Sequence, residues 1–388
     1  MSKSDIRLFF AGDFCSKPST SLITVEDELK GLIHSCDIGV INFEVPLKPD
    51  GMMPYKGRYE QFYQNDDTPP FLRGLGFNLF STANNHTFDW GVKGFHKTQA
   101  MLGIDSCFGA GLYEDAYNLK IVEVNDYKLG FMSLTYAAYY GVFDDVLHRD
   151  GYGCAYINDL RVNHDILEAK GKVDFLFILP HDGIEYIDVP LPETIARYRD
   201  FIDYGADAVI GTHPHCPQGW EEYNGKPIFY SLGNFFFNSK EDPSYQANNR
   251  PHWYEGICVL IRINESGINY EVINTKNVDN TFIGLDNNPE RTAHNNRICE
   301  YIKNKEAYMA CLTSGISSLA EEQELSIIDN TIHKRNLFSI IKTIIRKTLR
   351  ILTNRDYDDN NALKNLMKND TRRMGLLRYL NNNSKMNN

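Results

Sequence analysis

Five short apolar runs in this chain each end in a cluster of carboxylate, amide or imidazole side chains, and that repeated pairing constrains the fold most. Ile6–Ala11 leads into Gly12-Asp13, and Ile38–Phe43 leads into Glu44. Phe77–Ala83 leads into Asn84-Asn85-His86, with Asp89 and Gly91 just beyond. Val173–Leu179 leads into Pro180-His181-Asp182-Gly183 with Glu185-Tyr186 close by, and Ala208–Ile210 leads into Gly211-Thr212-His213-Pro214-His215. Near-continuous apolar runs such as Phe175-Leu176-Phe177-Ile178-Leu179 suit strands buried on both faces. Amphipathic stretches at 24–35, 92–102, 159–169 and 192–204 predict helices between them. Such alternation over the first 210 residues points to a layered α/β domain, and the strands after 225 point to a more antiparallel finish. In open α/β sheets, ligand sites gather at the carboxyl ends of the strands, where all five clusters lie.

Singly, each cluster has an ordinary reading. Asp13 suits a turn, and Asn84 or Asn85 suits the cap of the helix that follows. A metal or an arginine would equally satisfy Glu44, which is costly to bury unpaired. Together, mixed carboxylate, amide and imidazole donors suit Mn, Fe or Zn better than Mg or Ca. With one carboxylate bridging, such a set can hold two ions about 3.5–4 Å apart, the arrangement that activates water and clamps a phosphoryl group. The other histidines (34, 96, 148, 164, 252, 294 and 333) lack comparable surroundings and are expected to be structural. Ile228–Phe235 is expected to be a strand whose exit turn flanks the same rim.

No apolar run reaches the roughly 18 residues of a membrane-spanning helix, and the N-terminus lacks a secretory apolar region. The expectation is a cytoplasmic protein, peripheral at the inner membrane face. The eight cysteines are scattered with no Cys-x-x-Cys pair, as for reduced, mostly buried thiols. Residues 331–388 hold 13 lysines and arginines against 4 acidic residues, whereas the preceding 330 hold 27 against 47. An acidic body disfavours nucleic acid as a partner. The expected organisation is a main domain at 1–280, a helical appendage at 281–330, and a basic tail at 331–388. Within the tail, Leu337, Ile340, Ile341, Ile344, Ile345, Ile351 and Leu352 share one helical side, and Lys342, Arg346, Lys347 and Arg350 the other. That helix suits either an anionic membrane surface or docking on the acidic body.

The ordered motifs Gly12-Asp13, Asn42-Phe43-Glu44, Ala83-Asn84-Asn85-His86 with Asp89 and Gly91, His181-x-Gly183-x-Glu185-Tyr186, Gly211-Thr-His-Pro-His215 and Tyr230-Ser-Leu-Gly-Asn234-Phe resemble the CapA family. This is the capsule (poly-γ-glutamate) biosynthesis family, related to calcineurin-like metallophosphoesterases. The resemblance covers about residues 5–240 and implies a four-layer α/β/β/α sandwich with two central sheets. It implies metal ligands at Asp13, Glu44 (bridging), Asn85, His181, His213 and His215, with a divalent transition metal (Mn, Fe or Zn), dinuclear when full. It implies catalytic roles for His86 and Asp89, and substrate contacts at Asn84, Asp182, Glu185 and Asn234. The implied chemistry is hydrolysis of a phosphoester or an amide, with His86 assisting the leaving group, on a capsular or related surface polymer. A non-catalytic component that binds metal or polymer, recruited to a membrane synthase through 337–352, is the alternative. Cys15 stands where the phosphoesterase Asp-x-His pattern has its histidine, which leaves the first metal position short of a ligand. Asp182 stands where the family commonly has tryptophan, and the N-terminal anchor of many members is not expected here.

Overall fold

The computed structural model describes residues 5–51, 62–137, 141–143, 151–238 and 252–321. Among these, one sheet has nine strands: β1 (Ile6–Ser16), β2 (Thr24–Val25), β3 (Ile38–Phe43), β4 (Leu79–Ser81), β5 (Cys107–Phe108), β14 (Asn234–Asn238), β15 (Glu255–Asn264), β16 (Gly267–Val278) and β17 (Phe282–Leu285). A second sheet has six: β7 (Lys120–Val124), β8 (Tyr127–Thr135), β10 (Phe175–His181), β11 (Ala208–Ile210), β12 (Trp220–Tyr223) and β13 (Lys226–Phe229). A small hairpin pairs β6 (Ala110–Leu112) with β9 (Tyr152–Cys154).

The central strands of both sheets run parallel: β1 with β3 and β3 with β4, and β8 with β10, β10 with β11 and β11 with β13. Their carboxyl ends therefore open on one side of each sheet. β15, β16 and β17 finish the first sheet in antiparallel fashion, matching the expectation for residues after 225.

Helices α1 (Asp27–His34), α2 (Thr68–Gly74) and α3 (Gly91–Leu102) accompany the first sheet in sequence; α4 (Tyr113–Tyr117), α5 (Val162–Lys170) and α6 (Pro192–Asp203) accompany the second. Phe10, Val40, Leu129, Phe131, Phe177 and Val259 pack face to face between the sheets. On the outer side of the first sheet, Leu29, Ile33 and Leu72 meet Phe9, Ile41 and Phe80. On the outer side of the second, Val162, Ile166, Tyr198 and Phe201 meet Met132, Leu176 and Ile178. These three apolar interfaces make four layers, helix, sheet, sheet, helix, and explain why the central strands are apolar on both faces.

Two helices follow, α7 (Pro289–Lys303) and α8 (Lys305–Glu321). The Asn288 side chain accepts from the Glu290 amide and Pro289 opens the helix, a start signal written in the sequence. Ile298, Tyr308, Leu312 and Ile316 pack on Ile184, Ile187, Val189 and Leu191, the segment that follows β10. No described helix is long and apolar enough to cross a membrane. The expected basic helix at 337–352 lies outside the described residues.

Three local expectations need correction. The first sheet runs on through β17, which pairs with β16 and β2, so it continues past residue 280. Ile228–Phe235 is not one strand: β13 stops at Phe229 in the second sheet, and β14 starts at Asn234 in the first. The chain changes sheets at Gly233, whose φ is +68° and whose carbonyl abuts Gly12 so closely that no Cβ fits there. Finally, neither Asn84 nor Asn85 caps α3, which begins only at Gly91 and has no side-chain cap.

Candidate metal centre

Asp13 sits inside β1 at a register shift, level with Asn42 of β3 on one side and Asn234 of β14 on the other. Asn42 Nδ2 donates to its Oδ1 at 2.7 Å, and the His213 amide donates to its Oδ2 at 3.1 Å. Burial holds the Asp13 carboxyl above its ordinary range, against the opposing pull of His215 and those two hydrogen bonds. Glu44 follows β3 and is fully buried, yet neither of its carboxylate oxygens accepts a hydrogen bond. Burial, then the charges of Asp13 and Glu185, push its carboxyl well above the ordinary value.

Three imidazoles face these carboxylates. His181, the last residue of β10, is fully buried; its Nε2 lies 2.8 Å from Asn85 Oδ1 and 3.7 Å from Glu44 Oε1. Its Nδ1 lies 3.1 Å from both Asn42 Nδ2 and Thr212 Oγ1. Burial, and then the neighbouring imidazoles, keep His181 well below the usual histidine value and hence neutral. His215 Nε2 lies 3.9 Å from Glu44 Oε1, while its Nδ1 lies 2.9 Å from Asn234 Oδ1 and 3.7 Å from Asp13 Oδ2. The His213 ring packs on Tyr136 and on His181, with centroids 4.5 and 4.7 Å away, and its Nε2 is 3.7 Å from Glu185 Oε1.

The donors form two triads, Asp13–Glu44–His215 and Glu44–His181–His213, and the donor atoms of each lie within 4.8 Å of one another. Glu44 belongs to both. A buried carboxylate with no hydrogen bond, shared by two sets of nitrogen and oxygen donors, fits a bridging ligand between two cations. The chain invests backbone strain here: Val45, Tyr186, His213 and His215 all have positive φ, at 87°, 66°, 99° and 58°. For a β-branched residue such as Val45 that conformation is an outlier, and such strain gathers where side chains must be aimed.

Cys15 belongs to neither triad. It is buried against Val45, Phe237 and Trp253, and burial pushes its thiol well up. The triad around Asp13 is completed from the opposite sheet by His215, so it does not depend on a histidine at position 15.

The remaining expected residues divide. His86 lies at the edge of the centre, its Nε2 4.0 Å from Glu44 Oε1 and its Nδ1 2.9 Å from Asp89 Oδ2. Asp89 is fully buried and meets the centre through His86. Asn84 is committed to the protein: its Oδ1 accepts from the His86 amide and the Thr87 hydroxyl, and its Nδ2 donates to the Phe43 carbonyl. Asn234 likewise spends its Oδ1 on His215 and its Nδ2 on the Trp253 carbonyl. The Asp182 carboxylate accepts from Thr194 in α6. Of the four expected substrate contacts, Glu185 and Asn234 each reach a ligand imidazole, those of His213 and His215.

Asn42, Thr212 and Tyr136 were not singled out by sequence reasoning. Asn42 lies two residues before Glu44, where strand alternation puts both side chains on one face, and Thr212 directly precedes His213 in its motif; Tyr136 carries no sequence signal.

The model of the family described as bacterial capsule synthesis protein PGA_cap matches residues 8–239. The chain belongs to that family. It is 30% identical over 206 residues to the capsule biosynthesis protein CapA of Bacillus anthracis, covering 51% of this chain and 49% of that protein. To the PGA biosynthesis protein CapA of Bacillus subtilis (strain 168) it is 29% identical over 217 residues, covering 53% and 55%. The chain thus spans about half the length of the curated relatives it matches. A solved novel phosphatase from Mycoplasma pneumoniae aligns with 76% of this chain and 98% of its own at a TM-score of 0.44 and 14% identity.

Proposed function

We propose that this chain is a metal-dependent hydrolase acting in the biosynthesis of a capsular or related surface polymer, on a phosphoester or a γ-glutamyl amide. The observation that carries the chemistry is Glu44, buried without a hydrogen bond and common to both donor triads. The capsule and polymer assignments in the names of its relatives support the setting.

Asp13, Glu44, Asn85, His181, His213 and His215 would hold one or two divalent ions of the Mn, Fe or Zn class. When bound, such ions lower the pKa of water and take up negative charge on the reacting group. The protein's own contribution is positional. Asn42 and the His213 amide hold Asp13, and Asn234 holds His215, so each donor meets the centre in a fixed direction. Asp89 fixes the His86 ring through Nδ1, which leaves Nε2 as the atom that can give a proton to a leaving oxygen or nitrogen.

The test is elemental analysis of freshly purified protein together with a panel of phosphoesters and γ-glutamyl peptides. Bound transition metal and turnover of at least one compound are expected. His86→Ala should keep the metal and lose about 10²–10⁴-fold in rate. Wild-type protein that holds metal but turns over nothing on the panel would overturn the hydrolase reading and leave a binding component.

A further inference from the structure

Two of the histidines expected to be structural, His252 and His294, meet Asp188 in a second donor cluster. His252 opens the turn into β15, His294 lies in α7, and Asp188 lies in the segment between β10 and α6. His252 Nε2 is 3.7 Å from Asp188 Oδ1, and His294 Nε2 is 3.8 Å from Asp188 Oδ2. The donor atoms of all three lie within 4.8 Å of one another, and the two imidazoles stack with centroids 4.5 Å apart.

These separations are too long for hydrogen bonds. They suit two donors bound to one ion, since ligands about 2.0–2.2 Å from zinc at tetrahedral to trigonal angles lie about 3.3–3.8 Å apart. A supporting shell is also in place. Glu255 Oε2 takes the hydrogen bond of His252 Nδ1 at 2.6 Å and is itself paired with Arg291. A carboxylate behind a ligand imidazole fixes its tautomer and aims the other nitrogen outward. His294 Nδ1 is met by the Arg297 guanidinium at 3.2 Å, a contact that must open when Nε2 binds a cation and Nδ1 carries the proton. Each of the three donors is partly exposed, which leaves an approach for an ion and for water ligands.

We propose that Asp188, His252 and His294 form a second, mononuclear site for a divalent ion of the zinc class, separate from the centre around Glu44. Its donors come from three segments far apart in sequence, so an ion there fastens α7 to the main domain beside the apolar cluster of Ile187, Val189 and Leu312. It also ties down the segment that carries Glu185 toward His213.

The test loads the full chain with zinc, removes loose ion by gel filtration and counts bound equivalents. His294→Ala and the isosteric Asp188→Asn should each lose one equivalent relative to wild type and lose that part of the zinc-induced rise in melting temperature. The double variant His213→Ala with His215→Ala should keep that equivalent, which separates failure of this site from failure of the first. Far-UV circular dichroism checks each fold, and with two chemically different variants a folding defect in one does not decide the outcome. Wild-type zinc content in both folded variants would overturn the proposal.

Discussion

Replacing Glu44 by glutamine should change stability in opposite directions with and without metal. In the metal-free chain Glu44 is fully buried, accepts no hydrogen bond, and shares a triad with the equally buried Asp13. A buried acceptor without a partner costs about 1–3 kcal/mol, and more when charged. Glutamine keeps the shape and cannot ionise beside Asp13, so where the unfolded chain's Glu44 is ionised, metal-free Glu44→Gln should be about 1–3 kcal/mol more stable than wild type. For a domain of this size each kcal/mol moves the melting temperature by about 2–4 °C. With metal at about a hundred times its dissociation constant the wild type gains about 2.7 kcal/mol by mass action. Glu44→Gln forfeits most of that gain, because the carboxylate common to both triads is gone. The assay is thermal melting of both proteins after chelation and again with added Mn or Zn. A Glu44→Gln protein that melts lower than wild type when stripped of metal, or that keeps the full metal-induced rise, would refute the bridging assignment.

Asn234→Ala should lower metal affinity about 10–100-fold, the usual cost of removing a group that orients a ligand imidazole. Competition with a chelator measures it, and unchanged affinity would show that Asn234 does not set His215. The pH dependence of the stripped protein has a definite sign. Burial raises Asp13 and Glu44 in the folded state, so that state holds protons which the unfolded chain releases. Stability of the chelated protein should therefore fall as pH climbs above the ordinary carboxyl values of 3.8 and 4.5, and level off once the folded groups ionise. Added metal, which favours the ionised ligands, should remove the decline; equilibrium denaturation at a series of pH values with and without metal reads both arms.

What was legible in the sequence was what depends on the backbone's period and on strand ends. The apolar runs at 38–43 and 175–179 are strands with helices beyond them because both faces of a central strand are covered, and polar residues such as Asn42 and His181 come only toward its carboxyl end. The six expected ligands could be proposed because all lie at or near the carboxyl ends of β1, β3, β4, β10 and β11. What could not be read was which sheet a segment joins. Residues 228–235 look like one strand, but Gly233 carries the chain from one sheet to the other, because Gly12 leaves room for its carbonyl.

The same blindness hides partners that are distant in sequence. Asn234 and Asp182 lie within the motifs as expected substrate contacts, and only the packing shows that His215 and Thr194 claim them. His252 and His294 lie 42 residues apart on elements with no shared pattern, so nothing in the chain announces that Asp188 stands between them. Strand-end chemistry is encoded locally; a cluster assembled from a loop, a strand lead-in and an appended helix is encoded only in how the helix docks. The Glu44 centre was therefore expected from the sequence, and the Asp188 cluster had to come from the fold.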